Sequence, residues 1–472
     1  MVSHNFISRL ILCCCILTLA NIQSYAAQIH VPADQPTIQS GIDASVDGDT
    51  VIVDAGEYFE NINLHGKNIL LTSHFYETLN YAEIENTIIN GSTPADPDSA
   101  SVILIISGEN AGCIVQGFTI AGGAGTKWLD EHGAGTYREG GGILMQYSSP
   151  TIRYNYIMNN IVNNYEGVLS TGGGAMRCGD SDPLIENNII INNEASGYGG
   201  GLVFNYCNHP VVRNNIIAYN SGGNDYGGGG IWATGDNSSQ TIDLINNTIV
   251  RNTATGSGTY GGKGGGVFTF TVTVELINSI VWGNQQTTFG PLYTIGGNIQ
   301  TAYSDIEGGY DGIHNINSDP LFADTIMCFL LDTLSPCIDA GNPDIGYEDI
   351  PGDLIPEMAL YPSRGDLKND MGAYGGPKTI LISDCIISKP TGVTSIPLNN
   401  FHLYPNPAND YIIADLSGNY IFELTSITGN KVLSVNGNGK EIIDISPFDA
   451  GMYFYKIKGG DEEIRSGKLL IR

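Results

Sequence analysis

Between residues 150 and 280, apolar and polar positions alternate in short runs, and the runs recur. Pro150-Thr-Ile152-Arg-Tyr-Asn155-Tyr-Ile157 returns as Pro183-Leu-Ile185-Glu-Asn-Asn188-Ile-Ile190 and as Pro210-Val-Val212-Arg-Asn-Asn215-Ile-Ile217. Without its proline the phrase continues over 242–249 and 274–280. Period-2 alternation of β-branched with polar residues predicts strands with one buried face. A glycine triplet stands ahead of each phrase, at Gly140-Gly141-Gly142, Gly172-Gly173-Gly174, Gly199-Gly200-Gly201, Gly228-Gly229-Gly230 and Gly264-Gly265-Gly266. Looser copies occur at 87–91 and 117–120. Strands this short, separated by Gly or Asn corners, satisfy their edges by winding into a coil that stacks each strand parallel on its equivalent in the next turn.

Stacking at ~4.8 Å brings equivalent residues into register and implies about nine or ten coils over roughly 45 Å. The matching asparagines Asn155, Asn188, Asn215, Asn247 and Asn278, spaced by 33, 27, 32 and 31 residues, are then expected to form an internal amide ladder. Asn also suits such a corner because it tolerates left-handed backbone angles. The glycine triplets are expected at another turn, where positive φ or close backbone approach excludes side chains.

Composition agrees with a Gly-punctuated solenoid. Gly accounts for 62 of 472 residues and charged residues for 15%, against a usual ~25% charged. Apolar residues at 42% exclude a disordered acidic chain, and clustered glycines exclude collagen. With 20 Lys plus Arg against 49 Asp plus Glu, the net charge of −29 excludes a nucleic-acid binder. The last 70 residues hold 7 basic and 9 acidic side chains, a balance of −2. The charge therefore sits on the body, which argues against unaided binding of a polyanion and favours neutral or calcium-bridged glycans.

Arg9, the apolar run 10–20 and Ser24-Tyr25-Ala26 read as a secretory signal peptide over 1–26. Cys13, Cys14 and Cys15 lie inside that run without the small residue of a lipoprotein site, so lipid anchoring is the lesser reading. No later stretch has the ~20 apolar residues of a membrane helix. Export permits disulfides, and Cys328 with Cys337 is the pair expected; Cys113, Cys178 and Cys207 read as buried small apolar residues.

Ile29-His-Val-Pro32, Gln35-Pro36-Thr37-Ile38, Gly48-Asp49-Thr50-Val51-Ile52-Val53 and Gly56-Glu-Tyr58-Phe-Glu60 resemble the opening of right-handed parallel β-helix proteins, the pectin-lyase-like superfamily. The resemblance covers about 28–305. It implies a capping helix over 37–44 and a first full coil carrying Ile69-Leu70-Leu71. Asp319-Pro320-Leu321-Phe322, Ser335-Pro336-Cys337-Ile338-Asp339-Ala340-Gly341 and Asp370-Met-Gly372-Ala373-Tyr374 are similar to the C-terminal block of choice-of-anchor β-helix proteins, which is expected to close the open end of the coil over 306–377. Pro390 and Pro397 among Ser and Thr mark 378–398 as a linker. Leu403-Tyr404-Pro405-Asn406-Pro407, Thr428-Gly429 and Gly451-Met452-Tyr453 resemble the C-terminal sorting domain of the type IX secretion system of Bacteroidetes-like bacteria. For 399–472 this implies a small β-sandwich read by outer-membrane secretion machinery, and delivery of the protein to the medium or the outer surface of a Gram-negative cell. The expected fold class is thus all-β, a right-handed parallel β-helix over 27–305 followed by a small C-terminal β-sandwich.

Chemistry is harder to find. The acidic, His and Arg-Ile-Lys motifs of polygalacturonases are absent, and the Gly56–Glu60 match to pectin methylesterases lacks the catalytic motifs that follow it. Lys or Arg would be needed as a lyase base. Arg153 and Arg213, at one position of successive rungs, read as a solvated strand face. The insert 122–139 carries Trp128, Asp130, Glu131, His132, Tyr137, Arg138 and Glu139, and Tyr198, Tyr226 and Tyr260 each stand just before a glycine cluster. Flat aromatic faces beside carboxylates suit a sugar chain, so Trp128, Tyr137, Tyr198, Tyr226 and Tyr260 are candidate carbohydrate contacts. Arg138 and Glu139 are the candidate catalytic pair. A metal could sit on Asp130, Glu131 and His132, although neighbours on one loop rarely converge, and calcium is the candidate at Asp339 or Asp344. The expected function is binding of extended carbohydrate or a surface partner. The alternatives are a divergent polysaccharide lyase or glycoside hydrolase, and a structural adhesive rod.

Overall fold

The computed structural model describes residues 26–352, 355–380, 402–404, 411–426, 431–448, 451–459 and 462–471. The signal segment and nearly all of the 378–398 linker lie outside the described residues. The chain divides into two compact units, 1–387 and 388–472.

The first unit is a parallel β-helix. Ten strands, from Gln28–Val31 to Asn298–Ala302, stack into one sheet; nine, from Gly56–Tyr58 to Asp305–Ile306, into a second; and eight, from Ile62–Asn63 to Leu292–Ile295, into a third. A representative coil runs through Met176–Gly179 in the third sheet, Leu184–Glu186 in the first and Ile189–Ile191 in the second. Alternation along each strand drops one column of side chains into the barrel. In the first sheet that column is Val51, Leu71, Val115, Ile152, Ile185, Val212, Leu244 and Leu276, in successive register and fully buried. Each such side chain contributes about 1.5–3 kcal/mol of burial.

The corners follow from asparagine pairs. Asn187, Asn214 and Asn246 take φ of 54°, 54° and 51°, while the residue after each turns its amide inward. Asn155 donates from Nδ2 to Asn188 Oδ1 at 3.2 Å, Asn188 to Asn215 at 3.0 Å and Asn215 to Asn247 at 3.1 Å. Asn278 is not the next member. It takes the left-handed angle, 53°, and Ser279 replaces the inward amide, accepting from Asn247 N at 3.0 Å. The left-handed residue and the ladder residue are thus neighbours rather than one residue. A second ladder five residues on, Asn160, Asn193, Asn220, Asn252 and Asn284, lines the next corner. In the glycine triplets positive φ falls on the first residue, and in the second rung that residue is Gly173 (63°), so Ala175 ends that triplet and Gly172 precedes it.

Both ends are closed. Thr37 caps the helix Ile38–Ala44, which buries Ile38 and Ile42 over the first coil. Glu60, the end of the esterase-like pentad, accepts from the N–H groups of Ile38 and Gln39 at 2.9 Å each, a structural task at a helix N-terminus. At the other end Ile313 bridges Ala302 and Ile316 bridges Asp305, adding a partial rung. The rest of the expected end cap lies elsewhere. Phe329, Leu330, Leu331, Met371 and Tyr374 pack on the outward column Tyr156, Ile189, Ile216 and Ile280 of the second sheet. That column is apolar apart from Thr248, which stands between Ile216 and Ile280 and accepts from Ala373 N at 3.0 Å, because runs such as Ile189-Ile190-Ile191 bury both faces.

The expected Cys328–Cys337 bridge is not formed. Cys328 is disulfide-bonded, but Cys337 is a free buried thiol donating to Asp305 Oδ2 at 3.2 Å. The second unit is antiparallel, with strands His402–Tyr404, Tyr411–Ser426, Lys431–Asp444, Gly451–Gly459 and Glu462–Ile471. Its own core includes Ile412, Phe422, Leu424, Ile457 and Leu469.

Candidate functional site

The outward face of the third sheet carries two side-chain columns. One is Leu144, Arg177, Val203, Trp232, Phe268 and Tyr293. The other is Gln146, Gly179, Asn205, Thr234, Phe270 and Ile295. Arg177 breaks an otherwise apolar column, and Gly179 beside it makes the space: a Cβ there would overlap the guanidinium.

A hairpin covers this point. Strands Gly125–Leu129 and Thr136–Glu139 pair antiparallel, and the second joins Thr171–Gly172 of the next coil. The hairpin delivers two glutamates to the fully buried Arg177. Nη2 donates to Glu131 Oε1 at 2.8 Å, Nε lies 3.2 Å from Glu139 Oε2, and Nη1 donates to Gln146 Oε1. Trp128 lies beside them, its ring centre 5.9 Å from the guanidinium carbon and its indole N–H donating to Glu131 at 3.0 Å. Tyr198 Oη donates to Glu139 Oε1 at 2.7 Å.

Alternation along the hairpin strand separates the two catalytic candidates. Arg138 points to the opposite side from Glu139, is 3% exposed, and donates to the carbonyls of Pro97 and Gly125 while pairing with Asp98 at 2.6 Å. It ties the 97–98 loop to the hairpin and does not face the cleft, so the catalytic candidacy of Arg138 is withdrawn.

Glu139 opens into a cavity of about 230 Å³ whose aromatic wall is Tyr137, Tyr198, Tyr206, Tyr226, Trp232 and Phe270, with Asp130, Asn205 and Thr234 as further polar lining. The rings form a connected run. Tyr137 meets Tyr198 at 6.2 Å, Tyr198 meets Tyr226 at 5.8 Å and Trp232 at 4.7 Å, and Tyr226 stacks on Tyr260 at 6.2 Å. Phe270, Phe268 and Tyr293 extend it at 5.0 and 5.7 Å. Tyr198 is itself buried, its ring lying where a Cβ on Gly172 would be. Tyr260 is exposed, and Tyr137, Tyr206 and Tyr226 are half-buried.

The two glutamates are driven apart. Burial pushes the Glu139 carboxyl up, against Arg177 and Tyr198. For Glu131 burial is outweighed by the Arg177 charge and the Trp128 N–H, and its pKa falls to about 2. Burial also raises Asp180, against its contact with His132.

Glu131 and His132 meet Asp180 from the corner after Met176–Gly179, and one donor atom from each lies within 4.8 Å of the others. This is the grouping among the described residues that could hold an ion. Asp130 instead accepts from the N–H groups of His132 and Ala134, both at 3.0 Å. Asp339 and Asp344 belong to no such grouping. Asp339 accepts from Asp366 N at 3.0 Å, and burial with the Asp366 carboxylate raises it to about 6; Asp344 starts a short 3-10 turn. Arg153 and Arg213 flank Glu186 on the first sheet, Arg213 at 2.6 Å.

Arg177, Asp180, Asn205, Tyr206, Trp232 and Phe270 were not singled out by sequence. Aligning the rungs on the first glycine of each triplet puts Met176 level with Leu144, Val203 and Trp232; only the one-residue offset of the second rung, with Gly173 in the place of Gly140, brings Arg177 into that apolar column.

A family model described as right handed beta helix region matches residues 47–287, and one described as secretion system C-terminal sorting domain matches 402–472. No curated protein matches the chain. Among solved structures, the chain is similar to a pectin methylesterase from Aspergillus niger at 13% identity and a TM-score of 0.29, covering 63% of this chain and 91% of that one.

Proposed function

The chain belongs to the right-handed β-helix family and, carrying a secretion sorting domain, is a secreted or outer cell-surface protein; from that premise we propose that it binds extended carbohydrate along the outer face of its third sheet. The observation that carries this reading is the connected aromatic run ending in a cavity with carboxylate, amide and hydroxyl groups. Sugar rings present C–H faces to aromatic rings and hydroxyls to such polar groups. The cavity is smaller than the ~300–1,000 Å³ of a drug-sized ligand site. It suits one ring of a chain whose remainder lies over Tyr226 and Tyr260. The acidic body favours neutral chains, or acidic ones bridged by calcium. The sorting domain engages the type IX secretion machinery.

The test is calorimetric titration of the full chain against neutral, uronic and sulfated polysaccharides, with and without calcium. Tyr226→Ala is expected to weaken binding about 5- to 10-fold, since an aromatic contact is worth ~0.5–1.5 kcal/mol. Silence across the panel, or binding indifferent to both Tyr226→Ala and Tyr260→Ala, overturns the reading. A second reading, glycoside hydrolysis, is favoured by the opposed shifts of Glu139 and Glu131, the pattern of an acid and an ionised partner. Release of reducing ends that Glu139→Gln abolishes would establish it.

A further inference from the structure

We propose that Glu131, His132 and Asp180 form a binding site for one nitrogen-accepting divalent transition ion, of the zinc or manganese class. This reading is independent of carbohydrate binding. The donors come from two places 48 residues apart, the hairpin tip and a coil corner. His132 Nε2 lies 3.1 and 3.2 Å from the two Asp180 oxygens, the spacing of two ligands that share an ion at ~2.0–2.2 Å in tetrahedral or octahedral geometry.

Each donor is held by further contacts, as metal ligands are. The His132 ring stacks on Tyr206 with centroids 3.6 Å apart and planes 17° from parallel, and its backbone N–H is fixed by Asp130. Gln146 Nε2 donates to Asp180 Oδ2 at 3.3 Å. Arg177 and Asn205 donate to Glu131 Oε1 and Trp128 to Oε2, which orients the carboxylate and leaves Oε2 with a lone pair for an ion.

Charge points the same way. Arg177 pairs with Glu131 and Glu139, while Asp180, whose carboxyl lies close to that of Glu131, faces His132 rather than the guanidinium. Arg177 lies beside Glu131, and its repulsion of an incoming ion is offset by Glu139, which it also contacts. A second positive centre at the Asp180 side would balance the remaining anions. The imidazole selects the ion: calcium takes oxygen ligands, whereas His with carboxylates suits zinc and manganese. Three protein donors leave coordination positions free for water.

The experiment uses the untagged full chain, dialysed against chelator, titrated separately with zinc, manganese and calcium, with bound metal measured by elemental analysis. One equivalent of zinc or manganese is expected, weakened at least 100-fold by His132→Gln and by Asp180→Asn. The buried free thiols Cys113, Cys178, Cys207 and Cys337 are the competing soft donors. Cobalt substitution separates them, because a thiolate site adds sulfur charge-transfer absorption that this site lacks. Thermal melts without metal confirm that each variant folds, and Glu131→Gln is the third variant should either fail. No stoichiometric zinc or manganese, binding unchanged by the variants, a sulfur-type cobalt spectrum, or calcium preferred over both overturns the proposal.

Discussion

The Asn155–Asn247 corner and the Arg177 cleft are made from the same repeat, and both bury polar groups, but by opposite means. At the corner one residue type recurs on every rung, so each amide finds its partner in the next coil and no charge is needed. At the cleft the register brings unlike residues together. Leu144, Arg177 and Val203 share a column, and the buried cation must draw its partners from a hairpin outside the repeat. Repetition solves burial locally, whereas an exception to repetition creates both the need for a cover and a site under it.

The largest effect should come from breaking the ladder. Asn188→Ala removes an amide that donates to Ile152 O, Glu186 O and Asn215 Oδ1, and an oxygen that accepts from Asn155. Several groups would be left buried without partners at ~1–3 kcal/mol each, so a loss of about 4 kcal/mol is expected, independent of pH between 5 and 8. Chemical denaturation of the first unit measures it. Arg177→Met should cost nearly as much, about 3 kcal/mol at pH 8, because it leaves two buried glutamates unpaired. It should cost less at pH 5 than at pH 8, because the Glu139 carboxyl, already pushed up by burial and freed of the guanidinium, is protonated more readily as pH falls. Equal losses at both pH values would contradict the division between an uncharged corner and a charged cleft.

The corner was the more legible of the two, and the reason is physical. Stacking demands like on like, so Asn155, Asn188, Asn215 and Asn247 advertise themselves by period. The misplacement of Asn278 arose where Ser279 does the same work with a different side chain, and the second ladder from Asn160 to Asn284 was equally periodic and overlooked. The cleft depends on contacts that periodicity does not encode. Asp180 reaches His132 only because the insert folds back as a hairpin, and Arg138 and Glu139 part company only once that hairpin is known to be a strand. The block similar to an end cap was visible as a segment, but its seat followed from the apolar outer column of the second sheet.

The corner has a charged exterior that sharpens the contrast. Outside Asn246, the flank segment buries Asp349 and Asp370, and burial raises them to about 8 and about 7, with the Asp370 carboxylate adding to the rise of Asp349 and that of Asp339 to the rise of Asp370. Both values lie above an unfolded carboxyl at ~3.9, so the folded state holds the extra protons. Their stabilising contribution is complete below about pH 4, declines as pH rises and is lost above about pH 8, with a slope of at most ~1.4 kcal/mol per pH unit per group. The melting temperature of the first unit should fall across that window, and Asp349→Asn should flatten the fall. An unchanged slope would show that these acids do not govern it.

The smallest effect separates two arginines of one architecture. Arg213 sits on an outward strand face as Arg177 does, and it pairs with Glu186 at 2.6 Å against 2.8 Å for Arg177 with Glu131. Distance alone would rank Arg213 first. Its side chain, however, is 27% exposed where that of Arg177 is 0% exposed. Water and salt can replace Glu186 as its partner, and Glu186 keeps Arg153 within reach at 3.9 Å when Arg213 is gone. Arg213→Met is therefore expected to cost about 0.5 kcal/mol, in the range of exposed ion pairs, and less in high salt. Urea midpoints for the two variants at low and high salt make the comparison. A loss at Arg213 approaching that at Arg177 would mean that geometry, and not the hairpin's exclusion of water, sets the worth of a charge on this face.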